Sequence, residues 1–263
     1  MVFRSRPFAI ACIALGALAS CRDGGDSEAT APVRVAAASS LMLAFEALAD
    51  EAGDELGSPI SYSFGSSGSL AKQLRGGAPF DVFASANTAF VDEVIAAGAC
   101  DGETRARYAE GRIALWARDG SVTPPTSLAE LADPRFTRIA IANPEHAPYG
   151  QAAREALEHA GLWDALEPRL VYAETIRQAY QFAQSGNVDA AIIAYSPVIH
   201  DEDNPWLLID KARHEPIEKA LVICTSGSQR AGAEAFAALL SADAGREIMR
   251  DHGFFHPSER EQP

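Results

Sequence analysis

From Val33 onward, short apolar or β-branched runs alternate with longer stretches of helical period, and few architectures satisfy that rhythm. Strands are expected at Val33 to Ala37, Ile60 to Phe64, Asp81 to Ser85, Ile113 to Ala117, Ile139 to Ala142, Arg169 to Tyr172, Ala190 to Tyr195 and Ala220 to Thr225. Helices are expected between them at Leu41 to Ala52, Leu70 to Arg75, Thr88 to Ala97, Leu128 to Leu131, Gly150 to Ala160, Ile176 to Ser185 and Ala233 to His252. Such alternation predicts an α/β protein with mostly parallel sheets flanked by helices. Two stretches interrupt it: residues 118–126, with Gly120, Pro124 and Pro125, and residues 201–216, with Pro205 and Pro216. The strands beside them read as crossings between two lobes. The expected division is residues 33–115 plus 217–263 in one lobe and 116–216 in the other, with a ligand in the cleft outside the carboxyl ends of the strands.

The first twenty residues hold no acid, carry Arg4 and Arg6, and contain an apolar run from Phe8 to Ala19 too short to span a bilayer. Residues 1–20 therefore read as a secretory signal peptide. It ends in Leu18-Ala19-Ser20-Cys21, which resembles a bacterial lipobox, so Cys21 is the expected lipidation site and residues 21–32 a lipidated N-terminus and flexible tether. Net charge is −14, and −16 without Arg4 and Arg6, with 36 acidic against 20 basic residues. That balance excludes nucleic acid as an expected partner and means that any anion must be held by fixed local dipoles rather than steered from afar. Beyond Cys12 and Cys21 only Cys100 and Cys224 remain, and a disulfide between them is left open. The chain has no C-x-x-C and no H-E-x-x-H, so neither a metal centre nor a cofactor is expected.

Four segments share one local grammar: an apolar strand ends, hydroxyl, Gly or Pro residues intervene, and an amphipathic helix begins. They are Ala36-Ala37-Ala38-Ser39-Ser40-Leu41, Phe64-Gly65-Ser66-Ser67-Gly68-Ser69-Leu70, Asn143-Pro144-Glu145-His146-Ala147-Pro148-Tyr149-Gly150, and Ala173-Glu174-Thr175-Ile176-Arg177-Gln178-Ala179. Ser40 falls at or beside an N-cap, Ser67 is the central hydroxyl of the second segment, Pro148 suits a first helical position and leaves the N–H groups near Tyr149 and Gly150 unused, and Thr175 is a candidate N-cap ahead of Ile176. The first four N–H groups of a helix lack internal acceptors and lie at the positive end of its dipole, so each start can bind an anion. Four starts at one cleft could surround a small dianion without lysine or arginine. Lys72, Arg75 and Arg177 lie further inside their helices. A Ser or Thr ahead of a helix is usually only a cap, so the argument rests on the four together.

These segments, with Asp81-Val82-Phe83-Ala84-Ser85-Ala86, resemble in order and spacing those of the periplasmic molybdate-binding proteins, and the resemblance spans essentially the whole chain after the tether. It implies a two-lobed periplasmic binding protein fold, no enzymatic activity, molybdate or tungstate as ligand rather than cofactor, a membrane permease of an ABC importer as partner, an extracytoplasmic location and a monomer. It also implies that Ser40 and Ser67 each give a hydroxyl and an N–H, and that Tyr149 and Ile176 give backbone N–H groups, so that molybdenum is held through its oxygens. Some members of that family add a tyrosine hydroxyl from the strand Ala190 to Tyr195. Ungapped counting reaches Ala194, with Tyr195 adjacent, and since strand side chains alternate faces the contribution of Tyr195 is open.

The rival ligands for this architecture are sulfate and phosphate, and the rival chemistry is a hydrolase with Ser40 or Ser67 as nucleophile. The latter lacks a G-x-S-x-G elbow and a legible base. His146 reads as a surface or supporting residue, Asp81 as a residue that orients loops, Ser85 as a weaker candidate for the cleft rim, and Trp116, Trp163 and Trp206 as packing.

Overall fold

A computed structural model describes residues 31–52, 57–117, 123 and 125–257. The expected signal peptide, Cys21 and the tether as far as residue 30 lie outside the described residues. In chain order the elements are β1 (Val33–Ala38), α1 (Met42–Ala52), β2 (Ile60–Gly65), α2 (Ser67–Arg75), β3 (Val82–Ser85), α3 (Thr88–Ala96), β4 (Cys100–Gly111), β5 (Ile113–Trp116) and β6 (Ile139–Ala142). They continue with α4 (Pro148–His159), α5 (Trp163–Leu166), β7 (Leu170–Ala173), α6 (Ile176–Gln184), β8 (Ala190–Ala194), β9 (Trp206–Leu208), β10 (Ile217–Cys224), α7 (Arg230–Ser241) and α8 (Asp243–Asp251). Leu128–Ala132 is a 3-10 turn, and the long closing helix expected over 233–252 is two helices, because Ala242 is extended and starts α8 afresh.

The strands form two five-stranded sheets, ordered β2-β1-β3-β10-β4 and β7-β6-β8-β5-β9. Each is mixed: β2, β1 and β3 run parallel, as do β7, β6 and β8, while β10 and β4, and β5 and β9, are antiparallel additions. The additions are the strands on which the chain changes sheet. Only Arg112 separates β4, in the first sheet, from β5, in the second, and β10 brings the chain back. Ile113–Trp116, which the expected boundary between 115 and 116 would divide, belongs wholly to the second sheet.

The central strands are buried on both faces and read as continuous apolar runs; β3, β5, β6 and β8 have no exposed residue. Phe45, Phe83, Trp116, Phe136 and Phe236 fill the interior. At about 25 cal/mol per Å² of apolar surface removed from water, this burial is the main force fixing both sheets, and hence the loops at their carboxyl ends. Cys100 and Cys224 face each other across β4 and β10 as buried free thiols.

Candidate functional site

Three of the four predicted segments deliver a helix start to one place, and the remaining one delivers a tight turn. β1 ends at Ala38 and enters a 3-10 turn, Ser39–Leu41, before α1, so Ser40 lies inside the turn and Ala38 is its N-cap. β2 ends at Gly65, Ser66 is the N-cap of α2, and Ser67 is its first residue, fully buried. α4 begins at Pro148, with proline in the position its fixed φ favours, and Tyr149 follows. Ile176 is the first residue of α6; its N-cap Thr175 accepts a hydrogen bond from the Gln178 N–H (3.1 Å).

One small cavity is lined by Ser40, Ser67, Tyr149 and Ile176 together, with Ser39 and Ala147 between them. These residues come from both sheets: Ser40 and Ser67 follow strands of the first, Tyr149 and Ile176 follow strands of the second. Among the described residues the lining has no carboxylate and no cationic side chain. One detail of the sequence reading is corrected. The Gly150 N–H is not available, because it donates to the Ala147 carbonyl (2.9 Å) in a tight first turn, so the start of α4 offers the Tyr149 N–H instead. A larger cleft of about 340 Å³ opens beside the cavity and shares Ser39, Ser40 and Ile176 with it.

Tyr195 is not brought to the cavity. Its ring packs on Trp206, with centroids 5.3 Å apart, and lies against Gly253; the adjacent Ala194 lines the larger cleft. The one-residue offset noted in the sequence thus decides the face on which the ring emerges.

His146, beside the lining residue Ala147, ties the segment ahead of α4 to the start of α2. Its carbonyl accepts from the Gly68 N–H (3.0 Å), its Nδ1 lies 3.0 Å from the Ser66 hydroxyl, and its Nε2 lies 3.6 Å from the Glu174 carboxylate. Gly68 permits this approach, since a Cβ there would meet the His146 carbonyl at 2.9 Å. Asp81 orients loops as expected, accepting from the Arg34 and Gln229 N–H groups. Ser85 is buried, and its hydroxyl donates to the Asn87 carbonyl and accepts from the Asn87 N–H. Among the described residues no cluster of His, Cys, Asp or Glu could hold a metal ion.

The sequence reading missed Lys219. It is fully buried on β10, and its amine donates to the Ser40 Oγ (2.9 Å) without itself lining the cavity. The signal was present: Ile217, Lys219, Leu221 and Ile223 alternate at period two, and starting the strand at Ala220 cut the lysine off that face. Beside it the Tyr149 hydroxyl is buried; burial pushes its pKa up, and the neighbouring Ser40 hydroxyl acts the other way as a hydrogen-bond partner. Gly111 makes room for that hydroxyl; a Cβ there would collide with it.

Comparison with known proteins agrees with this geometry. The family model for bacterial extracellular solute-binding proteins matches residues 33–255. A molybdate-binding protein ModA of Rhodobacter capsulatus is 33% identical over 201 residues, covering 76% of this chain and 79% of that protein. The ModA of Azotobacter vinelandii is 31% identical over 229 residues, covering 85% and 90%. The solved periplasmic molybdate-binding protein of Azotobacter vinelandii superposes with a TM-score of 0.80 at 30% identity, over 86% of this chain and all of that one. The chain therefore belongs to the bacterial extracellular solute-binding proteins, among the relatives of ModA.

Proposed function

We propose that this protein captures molybdate, and its near twin tungstate, through Ser40, Ser67, Tyr149 and Ile176, and hands the ion to the membrane permease of an ABC importer. The observation that carries the reading is the convergence of the Ser40 turn and the starts of α2, α4 and α6 on one cavity without charged lining. Hydroxyls and orphan N–H groups can donate to the four oxygens of a tetrahedral dianion, with the metal untouched by any side chain. A hydrogen bond to an ionised acceptor is worth about 1.5 to 3 kcal/mol net, so the donors of these four residues, a hydroxyl and an N–H from each serine and an N–H from each of Tyr149 and Ile176, support tight binding after the ion is desolvated and immobilised. The work is binding, not catalysis, as it is for the ModA relatives.

The two sheets are read as two lobes, and the contacts of His146 with Ser66 and Gly68 as their closed arrangement, in which a rigid donor shell selects by size. Calorimetry with molybdate, tungstate, sulfate and phosphate tests the cargo. Tight binding of the first two, and binding of the last two weaker by at least about tenfold, is the expected outcome, since a rigid donor shell that leaves one bond unmade forfeits about 10- to 150-fold. Equal or tighter sulfate binding would transfer the assignment to the smaller ion.

The mature protein is read as a monomer held at the outer face of the membrane by a lipid on Cys21. Cells fed radioactive palmitate should label the wild type and not Cys21→Ala; equal labelling of both removes the anchor from the proposal.

A further inference from the structure

Burying Lys219 is expensive, and the fold gives it little in return except contact with the site. The side chain is fully buried. Among the described residues its amine has one hydrogen-bond partner, the Ser40 Oγ at 2.9 Å, and it lies 4.9 Å from the ring centre of Tyr149 and 4.8 Å from that of Phe254. Among the described residues no carboxylate pairs with it. The titratable groups around it come from several elements and leave it alone in charge. Tyr149 on α4 and Tyr108 on β4 are buried phenols, both pushed up by burial and so neutral. Glu218 on its own strand and Glu110 on β4 turn to Arg107 at the surface, and His252, near Phe254, engages the Ile248 carbonyl. Burial holds the lysine well below its usual value.

We propose that Lys219 is a positioning and charge-selecting residue of the oxyanion site, which grips the Ser40 oxygen from behind so that the Ser40 proton points into the cavity, and which supplies the positive charge absent from the lining. The inference rests on the reading that the cavity takes a tetrahedral dianion. A bound dianion favours the protonated amine, which has three donors and no lone pair, so the hydroxyl it holds cannot donate back, and the Ser40 proton is left for the Tyr149 oxygen or for a ligand in the cavity that both residues line. A cation one hydroxyl away from a bound dianion, in surroundings poor in water, attracts it far more strongly than a surface lysine could. The faces of Tyr149 and Phe254 favour the same charged form through their ring quadrupoles. A single positive charge also rewards a dianion more than a monoanion of the same shape, which makes the residue a filter for ligand charge.

A structural tether and a site residue predict opposite results. A buried amine without a carboxylate partner costs stability, so replacing it by an apolar side chain of similar length is neutral or stabilising for the empty protein. Lys219→Met and Lys219→Gln should therefore be compared with the wild type by thermal unfolding without ligand, and by calorimetry with molybdate and with perrhenate, a tetrahedral oxyanion of like shape carrying one charge. Lys219→Met is expected to melt no lower than the wild type, to bind molybdate about 10- to 100-fold more weakly, and to lose part of its preference for molybdate over perrhenate. Wild-type affinity and preference in the variant would overturn the proposal. So would a loss of affinity matched by a loss of empty-protein stability at unchanged preference. Should Lys219→Met fail to fold, Lys219→Gln, which keeps a polar group without the charge, carries the same comparison with the same outcomes. A wild type that prefers sulfate would sink the molybdate reading alone, the lysine comparison then running on sulfate; a wild type that binds no tetrahedral dianion overturns both.

Discussion

Replacing Ser40 and Ser67 together by alanine is expected to weaken molybdate binding by about 100- to 10,000-fold while leaving a folded protein. Each hydroxyl would donate to an ionised ligand, a bond worth about 1.5 to 3 kcal/mol, so each single variant should lose roughly 10- to 150-fold and the losses should add to the extent that the two groups touch different oxygens. The singles should differ in stability. Ser67 Oγ accepts from the Ala86 N–H (3.0 Å) in a fully buried setting, so Ser67→Ala orphans that donor at a cost of about 1 to 3 kcal/mol. Ser40→Ala strips Lys219 of its hydrogen-bond acceptor and leaves a buried amine with none. Domains of this kind usually hold about 5 to 15 kcal/mol, so both variants should remain folded at room temperature. Calorimetric titration beside a thermal melt separates the two effects. Unchanged affinity in both single variants would refute the assigned site.

The four ligand segments could be read from the sequence because helix-start recognition is a local device, in which strand end, turn residues and first helical turn are contiguous. The strands flanking them were legible for a related reason. β1, β3, β6 and β8 are short, mostly apolar and largely buried runs, β2 alternates half-buried Ile60, Tyr62 and Phe64 with exposed Ser61 and Ser63, and β2 and β3 end at the small residues Gly65 and Ser85. β4 escaped notice because it lies at the edge of its sheet and carries Asp101, Glu103, Arg105, Arg107 and Glu110. Those charges are satisfied across elements, by Arg105 on Asp92 (2.8 Å) and Arg107 on Glu218 (2.6 Å), in pairings that no local pattern announces. β9 is a three-residue edge strand. Lys219 is the sharpest case. It lies 179 positions from Ser40, and only the sheet order, which sets β10 two strands from β1, brings the amine under that hydroxyl.

The same reasoning predicts that Gly150→Ala will damage both stability and binding. A Cβ at Gly150 would collide with the Ala142 carbonyl and stand 2.7 Å from its carbon and 2.9 Å from that of Asn143. All three are backbone atoms at the end of β6, and no rotamer change moves them aside. α4 must then withdraw from the sheet, and with it Pro148 and Tyr149, which line the cavity. Overpacking of this kind costs about 3 kcal/mol, and at roughly 2 to 4 °C per kcal/mol for a chain of this size the melting temperature should drop by about 6 to 12 °C. Withdrawal of the Tyr149 N–H should cost at least about tenfold in molybdate affinity as well, the worth of one hydrogen bond to an ion. Gly161, just beyond the other end of α4, supplies the control. It has a φ of +69° and open space around its missing Cβ, so Gly161→Ala should cost about 1 kcal/mol of stability through backbone strain alone and leave affinity intact. If both variants lost stability and neither lost affinity, the start of α4 would be scaffold, and the donors would have to come from the Ser40 turn, α2 and α6 alone.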